Sequence, residues 1–265
     1  MKKKLFIVKI GGNVIDDEQS RKKFLFNFSK IKERKILVHG GGKIASELAE
    51  KLGISQEIVN GRRITNAETL KIVTMVYAGL LNKQIVALLQ SNNVNAIGLS
   101  GADMNCIKAV KRMNLEIDFG FVGDIIENGV NPELISSLIE NNLTPVFCSV
   151  THDGKGQLLN TNADTIASAL AISFSYNYDV QLNFCFEKNG VLKNIEDANS
   201  VIETMTKTEY KKLLEEGIIS KGMIPKLDNS FEALNKGVKK VVIGHSGKLN
   251  TMISENKIDG TVLIA

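Results

Sequence analysis

Seven short apolar runs alternate with helical patterns along this chain, and that alternation limits its fold more than any other feature. The runs are Leu5 to Ile10, Ile36 to His39, Ala96 to Ser100, Pro145 to Val150, Val180 to Phe186, Lys239 to Ile243 and Thr261 to Ile264. Strands separated by helices need crossover connections, which predicts an α/β fold with a mostly parallel sheet covered on both faces. Ile44, Leu48 and Leu52 recur at four-residue spacing before Gly53, predicting a helix over Lys43 to Leu52. Thr65-Asn66-Ala67-Glu68 has the form of a capping box, with Thr65 as cap, before an apolar-rich helix reaching about Gln90. Thr206-Lys207-Thr208-Glu209 repeats the signal before a helix stopped by Gly217. A further helix opens near Gly222, admits Pro225 in its first turn, presents Met223, Leu227, Phe231 and Leu234 on one face and ends at Gly237.

At 265 residues the chain reads as one domain with two lobes, the boundary falling near Phe174 to Asp179, and it has no internal repeat or low-complexity tract. Its net charge of +4 is modest, and basic and acidic residues are interspersed, which argues against a nucleic-acid partner. Cys106, Cys148 and Cys185 form no C-x-x-C pair, so a disulfide framework or zinc knuckle is not expected and a reducing cytoplasm fits. The basic opening resembles a signal n-region, but Lys9 interrupts the apolar run; no membrane-spanning segment is expected.

Two glycine turns carry the first chemical signal. Lys9-Ile10-Gly11-Gly12 and His39-Gly40-Gly41-Gly42 each end a strand and open a helical stretch. Glycines let the backbone approach a ligand, and the following helix aims unpaired N–H groups and its positive dipole end at an anion. Lys9 is placed to reach an anion held there, the bland alternative being a solvated lysine beside a turn. Three consecutive glycines are costly in chain entropy, and close approach to a ligand accounts for them better than a sharp turn alone. His39 reads as a structural residue rather than a base. Neither a G-x-x-x-x-G-K-[ST] loop nor a clean G-x-G-x-x-G occurs.

Three further segments follow. Asn160-Thr161-Asn162-Ala163-Asp164 crowds amide and carboxylate side chains at a helix start, where one caps and the others are left to bind or orient. Gly222-Met223-Ile224-Pro225-Lys226 puts a lysine in a first helical turn against the dipole preference, a hint of a nearby anion or an ordinary surface lysine. Arg63, just before a capped helix, can clamp a carboxylate with its fork or lie solvated with Arg62.

Taken in order, K-I-G-G, H-G-G-G, N-G-x-R-x-T, N-x-N-A-D and G-M-I-P-K resemble the amino-acid kinase family over nearly the whole chain, and the acetylglutamate branch in particular. The resemblance implies an open αβα sandwich around an eight-stranded, mainly parallel sheet, with an acyl amino acid bound in an N-lobe (about 1–175) and ATP in a C-lobe (about 176–265). It implies that Lys9 and Lys226 neutralise the transferring phosphoryl group and that Asp164 orients them. Gly41 and Gly42 become backbone donors at the substrate's reacting end, Arg63 and Asn160 ligands of its α-carboxylate, and Gly11 and Gly12 the lining of the phosphate path. Glu187, Gly190, Leu192 and Ser220 fall in the nucleotide segments. Where many relatives have Ser-Asp or Thr-Asp, this chain has Phe186-Glu187, and Glu187 can still accept from a ribose hydroxyl. The implied reaction is ATP-dependent phosphorylation of the γ-carboxylate of N-acetyl-L-glutamate, with Mg2+ held mainly by phosphates and water and no metal site in the protein itself. Family members that form arginine-inhibited hexamers carry an extra N-terminal helix; this chain starts almost at its first strand, so an arginine-insensitive homodimer is expected.

The chemistry agrees. An acceptor carboxylate with a pKa of about 4.3 is ionised at neutral pH, so no general base is needed. What is needed is positive charge between two anions. The rivals are an N-succinyl-L-glutamate kinase, a glutamate or aspartate kinase of the same fold, and a catalytically silent nucleotide or amino-acid sensor. A dinucleotide-binding module fits less well, because His39 stands where an acidic residue is expected.

Overall fold

The computed structural model describes residues 2–59, 62–113, 116–219, 222–254 and 258–264. The main sheet has eight strands: β1 (Lys3–Ile10), β2 (Arg34–His39), β3 (Ala96–Leu99), β4 (Thr144–Cys148), β5 (Tyr178–Phe186), β6 (Thr204–Thr206), β7 (Lys240–His245) and β8 (Thr261–Ile264). Their order is β6-β8-β7-β5-β1-β2-β4-β3. The described pairings are parallel except β7 with β8. All seven strands expected from the apolar runs are present. The eighth, β6, spans three residues of mixed polarity and gave no comparable run.

Contacts within the chain define two compact units, Met1–Ile36 with Ala167–Ala265, and Leu37–Ile166. The first strand therefore groups with the C-terminal third, a division that chain order near Phe174 to Asp179 does not convey. In the first unit β1 pairs with β5 from Lys3↔Tyr178 to Ile10↔Cys185. Leu5, Ile7, Val8, Leu182 and Phe184 are fully buried, the continuous apolar character of parallel strands covered on both faces. The Glu18–Ser29 helix, capped by Asp17 accepting from the Ser20 N–H at 2.8 Å, adds Phe24, Leu25 and Phe28 to this core.

In the second unit the Gly42–Lys51 helix and a long helix over Ala67–Ser91 bury Ala45, Ala49, Ile72, Val73, Val76 and Leu81 beside Cys148 and Val150. A second, four-stranded sheet (Ile107–Lys111, Gly123–Val130, Val150–His152, Leu158–Asn160) lies outside the expected strand set except for Val150; its strands mix polar with apolar residues.

Two sequence expectations are corrected. The cap of the Ala67 helix is Asn66, whose Oδ1 accepts from the Thr69 N–H at 2.9 Å, and not Thr65. Thr65 is held in a bridge with Gly120, its N–H on the Phe119 carbonyl and its own carbonyl accepting from Phe121. The second correction is the absence of a span-like segment. The 25-residue helix Ala67–Ser91, with a mean hydropathy of 1.6 in its most apolar stretch, is long and apolar enough by that test. Burial of its apolar face in the core accounts for the composition. The helix at Thr206 is capped as expected, Thr206 Oγ1 accepting from the Glu209 N–H at 3.1 Å.

Candidate active site

In the first unit β1 ends at Ile10 and the chain turns through Gly11 into a short helix, Gly12–Asp16. The Gly11 N–H donates to the Cys185 carbonyl at 2.7 Å, and a Cβ on Gly11 would lie 3.1 Å from both that oxygen and Phe186 Cβ, so the turn packs directly on the end of β5. Here a cavity of about 370 Å³ opens, bordered by Lys9, Gly11, Gly12, Glu187, Gly190 and Lys226 and walled by Val191, Leu192, Ile195, Ile218 and Ile219. Lys226 is 8% exposed in the first turn of the Ile224–Asn235 helix, its ammonium 4.8 Å from the centre of the Phe184 ring. Both lysines act electrostatically on Cys185: burial pushes that thiol up to about 12 while the two ammonium groups pull it down. A pair of cations spaced around a glycine turn with an apolar wall suits a polyphosphate carrying a flat apolar base.

Gly190 is required by its surroundings, since a Cβ there would meet Thr261 Oγ1 at 2.7 Å and Val201 at 2.8 Å. The same Thr261 hydroxyl accepts from the Val191 N–H at 2.8 Å and fixes the loop that carries Leu192. Glu187 is exposed at the cavity rim, near enough to His245 to act on its charge. Ser220 lies outside the described residues.

The second unit presents the other glycine turn. Gly41 caps the Gly42–Lys51 helix with no side-chain cap, at φ 152°. A Cβ there would come 2.3 Å from Leu81 Cδ1 and 3.0 Å from the Tyr77 ring, so only glycine fits. Tyr77 and Leu81 belong to a π-helical stretch, Met75–Leu81, inside the long helix. Arg63 faces the turn: its Nη2 donates to the Gly42 carbonyl and to Ser46 Oγ, both at 2.8 Å, and its Nη1 donates to Gln56 Oε1. These bonds fix the guanidinium and leave Nε–H and one Nη1 hydrogen for a further acceptor. Asn160 is tied to the same corner, Nδ2 donating to Thr65 Oγ1 at 3.0 Å while Thr65 Oγ1 donates to the Arg63 carbonyl at 3.2 Å.

His39, at the end of β2, is fully buried, and burial lowers its pKa to about 4, so it is neutral at physiological pH. That agrees with a structural role and excludes an imidazolium at the turn. The three cysteines are buried and free.

The amino acid kinase family signature matches residues 4–245. This chain belongs to that family. It is 53% identical over 263 residues to an acetylglutamate kinase of Cytophaga hutchinsonii, covering 99% of both chains. It is 52% identical over 250 residues to an acetylglutamate kinase of Phocaeicola vulgatus, covering 94% of this chain and 96% of that one. Among solved structures, carbamate kinase from Giardia lamblia bound to AMP-PNP superimposes with a TM-score of 0.65 at 16% identity over 99% of this chain and 98% of that one. That likeness shows the fold.

The amino-acid kinase motifs thus gather into two clusters. Lys9, Gly11, Gly12, Glu187, Gly190, Leu192 and Lys226 share the cavity of the first unit. Gly41, Gly42, Arg63 and Asn160 share the hydrogen-bonded corner of the second. Asp164 stands in the first turn of the Ala163–Ser175 helix, whose start is capped by Asn162 Oδ1 accepting from the Asp164 and Thr165 N–H groups at 2.7 and 3.2 Å. One amide of that segment therefore caps the helix, and Asn160 bonds Thr65 instead. Sequence reading missed Gln56, Ser46, Tyr77 and Asn82. A polar Asn82 inside an apolar helical run was the one available signal.

Proposed function

We propose that this kinase transfers the terminal phosphoryl group of ATP to the γ-carboxylate of N-acetyl-L-glutamate, a step of arginine biosynthesis. The observation that carries the reading is the seating of Lys9 and Lys226 in one cavity with the Gly11–Gly12 turn. The high identity to acetylglutamate kinases over nearly full length supports the choice of acceptor.

In this reading ATP occupies the cavity, its base against Leu192, Ile195 and Ile218 and its phosphates on the N–H groups of the glycine turn. Lys9 and Lys226 neutralise the charge that spreads over the phosphoryl oxygens, and Asp164 is the carboxylate of the catalytic set. Among the described residues no group of three His, Cys, Asp or Glu side chains is placed to hold a metal. Mg2+ bound through the nucleotide phosphates and water supplies further positive charge. Gly41 and Gly42 N–H groups receive the acceptor carboxylate, and Arg63 and Asn160 hold the α-carboxylate by charge and by hydrogen bonds. The carboxylate is already ionised, so the site has no need of a base, in keeping with the neutral His39. The enzyme works in the cytoplasm as a homodimer, for which Met75 and Leu80, exposed on the long helix at 53% and 48%, offer apolar surface.

The test is an acyl-phosphate trap with Mg-ATP and hydroxylamine, offering N-acetyl-L-glutamate, N-succinyl-L-glutamate, L-glutamate and L-aspartate separately. Hydroxamate from N-acetyl-L-glutamate alone is expected. Product from another acceptor moves the substrate assignment, and ATP binding with no product from any of the four removes the kinase reading.

A further inference from the structure

The Gly40-Gly41-Gly42 turn has a physical weakness. A peptide between two glycines can turn over by a concerted change of ψ at the first and φ at the second, with no Cβ on either side to oppose it. The peptide is trans, so its C=O and N–H point in opposite directions. A turned-over Gly40–Gly41 peptide would present an oxygen where the Gly41 N–H now points, and an anion there would be repelled. The turn needs a latch, and a chain of polar groups running inward from the surface supplies one.

The chain begins at Lys83, whose Nζ lies 3.2 Å from Asn82 Oδ1 and 3.3 Å from the Gly98 carbonyl. An ammonium only donates, so the Asn82 atom facing it is the oxygen. Asn82 Nδ2 then faces the other way, donating to the Val146 carbonyl at 2.9 Å and to His39 Nε2 at 3.1 Å. With Nε2 accepting, the imidazole carries its proton on Nδ1, and Nδ1 lies 2.8 Å from the Gly40 carbonyl oxygen. Every direction in the chain follows from the one before it. Asn82 is 1% exposed and His39 0%, and a Cβ on Gly98 would fall 1.8 Å from Asn82 Oδ1, so the facing strand leaves room for the amide.

We propose that His39, oriented by Asn82 and Lys83, is the positioning residue that latches the Gly40–Gly41 peptide with its carbonyl turned into the protein and its N–H aimed at the acceptor carboxylate. The assignment of that carboxylate rests on the kinase reading above. A histidine that merely fills space would make a different prediction, because the two amide replacements rank oppositely under the two accounts. The amide nitrogen of asparagine falls near the position of Nδ1 and keeps a donor for the Gly40 carbonyl; the longer glutamine reaches toward Nε2 and gives that donor up. Glutamine, however, fills more of the volume.

The experiment compares His39→Asn and His39→Gln in the hydroxamate assay with thermal midpoints alongside. The latch predicts that His39→Gln loses kcat by at least ~100-fold, the scale of one lost oxyanion donor, with the ATP KM unchanged, while His39→Asn stays within an order of magnitude of the parent. His39→Gln matching or exceeding His39→Asn overturns the proposal. Should either variant fail to fold, Lys83→Met serves, since Lys83 is on the surface; a fall in kcat at constant thermal midpoint is expected, and unchanged kcat overturns the proposal. The Gly41 amide resonance of the parent and the same variants separates this inference from the substrate assignment. If the parent makes no hydroxamate, the substrate reading fails, and the latch still stands or falls on whether that resonance moves in His39→Gln, or in Lys83→Met where His39→Gln does not fold; an unmoved resonance overturns it.

Discussion

In the proposed reaction the two clusters of motif residues hold their anions in different ways. In the first unit the positive charge is carried by side chains, Lys9 and Lys226, against apolar neighbours such as Phe184 and Ile219. In the second it is carried largely by peptide N–H groups and one guanidinium, the guanidinium aimed by donating to Ser46 and Gln56 and the Gly40 carbonyl held by His39. An ammonium acts as a point charge and tolerates a change of angle; a peptide dipole or a planar fork works only when aimed. The first cluster should therefore respond to loss of charge, and the second to small errors of geometry at constant charge.

The largest effect is expected from removing a cation. Lys226→Met keeps the packing on Phe184 and deletes the ammonium, and should lower kcat at least a hundredfold, about 3 to 4 kcal/mol of transition-state stabilisation, with the acyl-substrate KM little changed. Lys9→Ala should behave alike, and near-parental kcat in the hydroxamate assay for either would break the comparison.

Next comes the pH dependence of the second unit. His39 has a folded pKa of about 4 against an ordinary value of 6.5. Above 6.5 the imidazole is neutral in both states. Between 6.5 and 4 the unfolded chain takes up a proton that the folded chain refuses, so stability falls with pH, by on the order of 3 kcal/mol in all. Urea unfolding of the parent and of His39→Asn across this range checks it, and only the parent should carry this component of the slope.

Gly41→Ala places a methyl 2.3 Å from Leu81 Cδ1 at a φ of 152°. A stability loss of about 1 to 3 kcal/mol is expected, with weakened acyl-substrate binding and an unchanged nucleotide Kd. The smallest effect sharpens the contrast most. Arg63→Lys preserves charge and loses the fork to Gly42, Ser46 and Gln56, and should raise the acyl-substrate KM about tenfold, whereas Lys226→Arg should retain part of its function. Equal tolerance of both exchanges, measured as KM and kcat, would remove the distinction between aimed and unaimed donors.

Much of the fold was legible in the chain because parallel strands buried on both faces are written as uninterrupted apolar runs. β1 is of this kind over Leu5–Val8, whereas β5 interleaves Asp179, Gln181 and Asn183 with its apolar residues. β6 and the four-stranded second sheet were not legible, because β6 has only three residues and the strands of the second sheet carry exposed polar residues that break any apolar run. The cap of the long helix was misplaced by one residue because Thr65 and Asn66 are both good caps, and the choice fell to a bridge with Gly120, 55 residues away in sequence. The apolarity of Ala67–Ser91 was underestimated because polar Asn82 and Lys83 interrupt the pattern, residues that serve the His39 network.

By itself the sequence determined which segments carry the glycine turns, lysines and helix starts of the amino acid kinase family. Glycines at Gly11, Gly41 and Gly42, the lysines Lys9 and Lys226, and a capped helix start at Asn162 are local properties, fixed by what a backbone without Cβ or a helix N-terminus can do. Only the tertiary structure decided which of these share a cavity, that β1 belongs with the C-terminal third, and which way the Gly40 carbonyl turns. Those outcomes depend on partners far away in the chain, such as Asn82 for His39 and Cys185 for Gly11, and no local pattern encodes the distance between them.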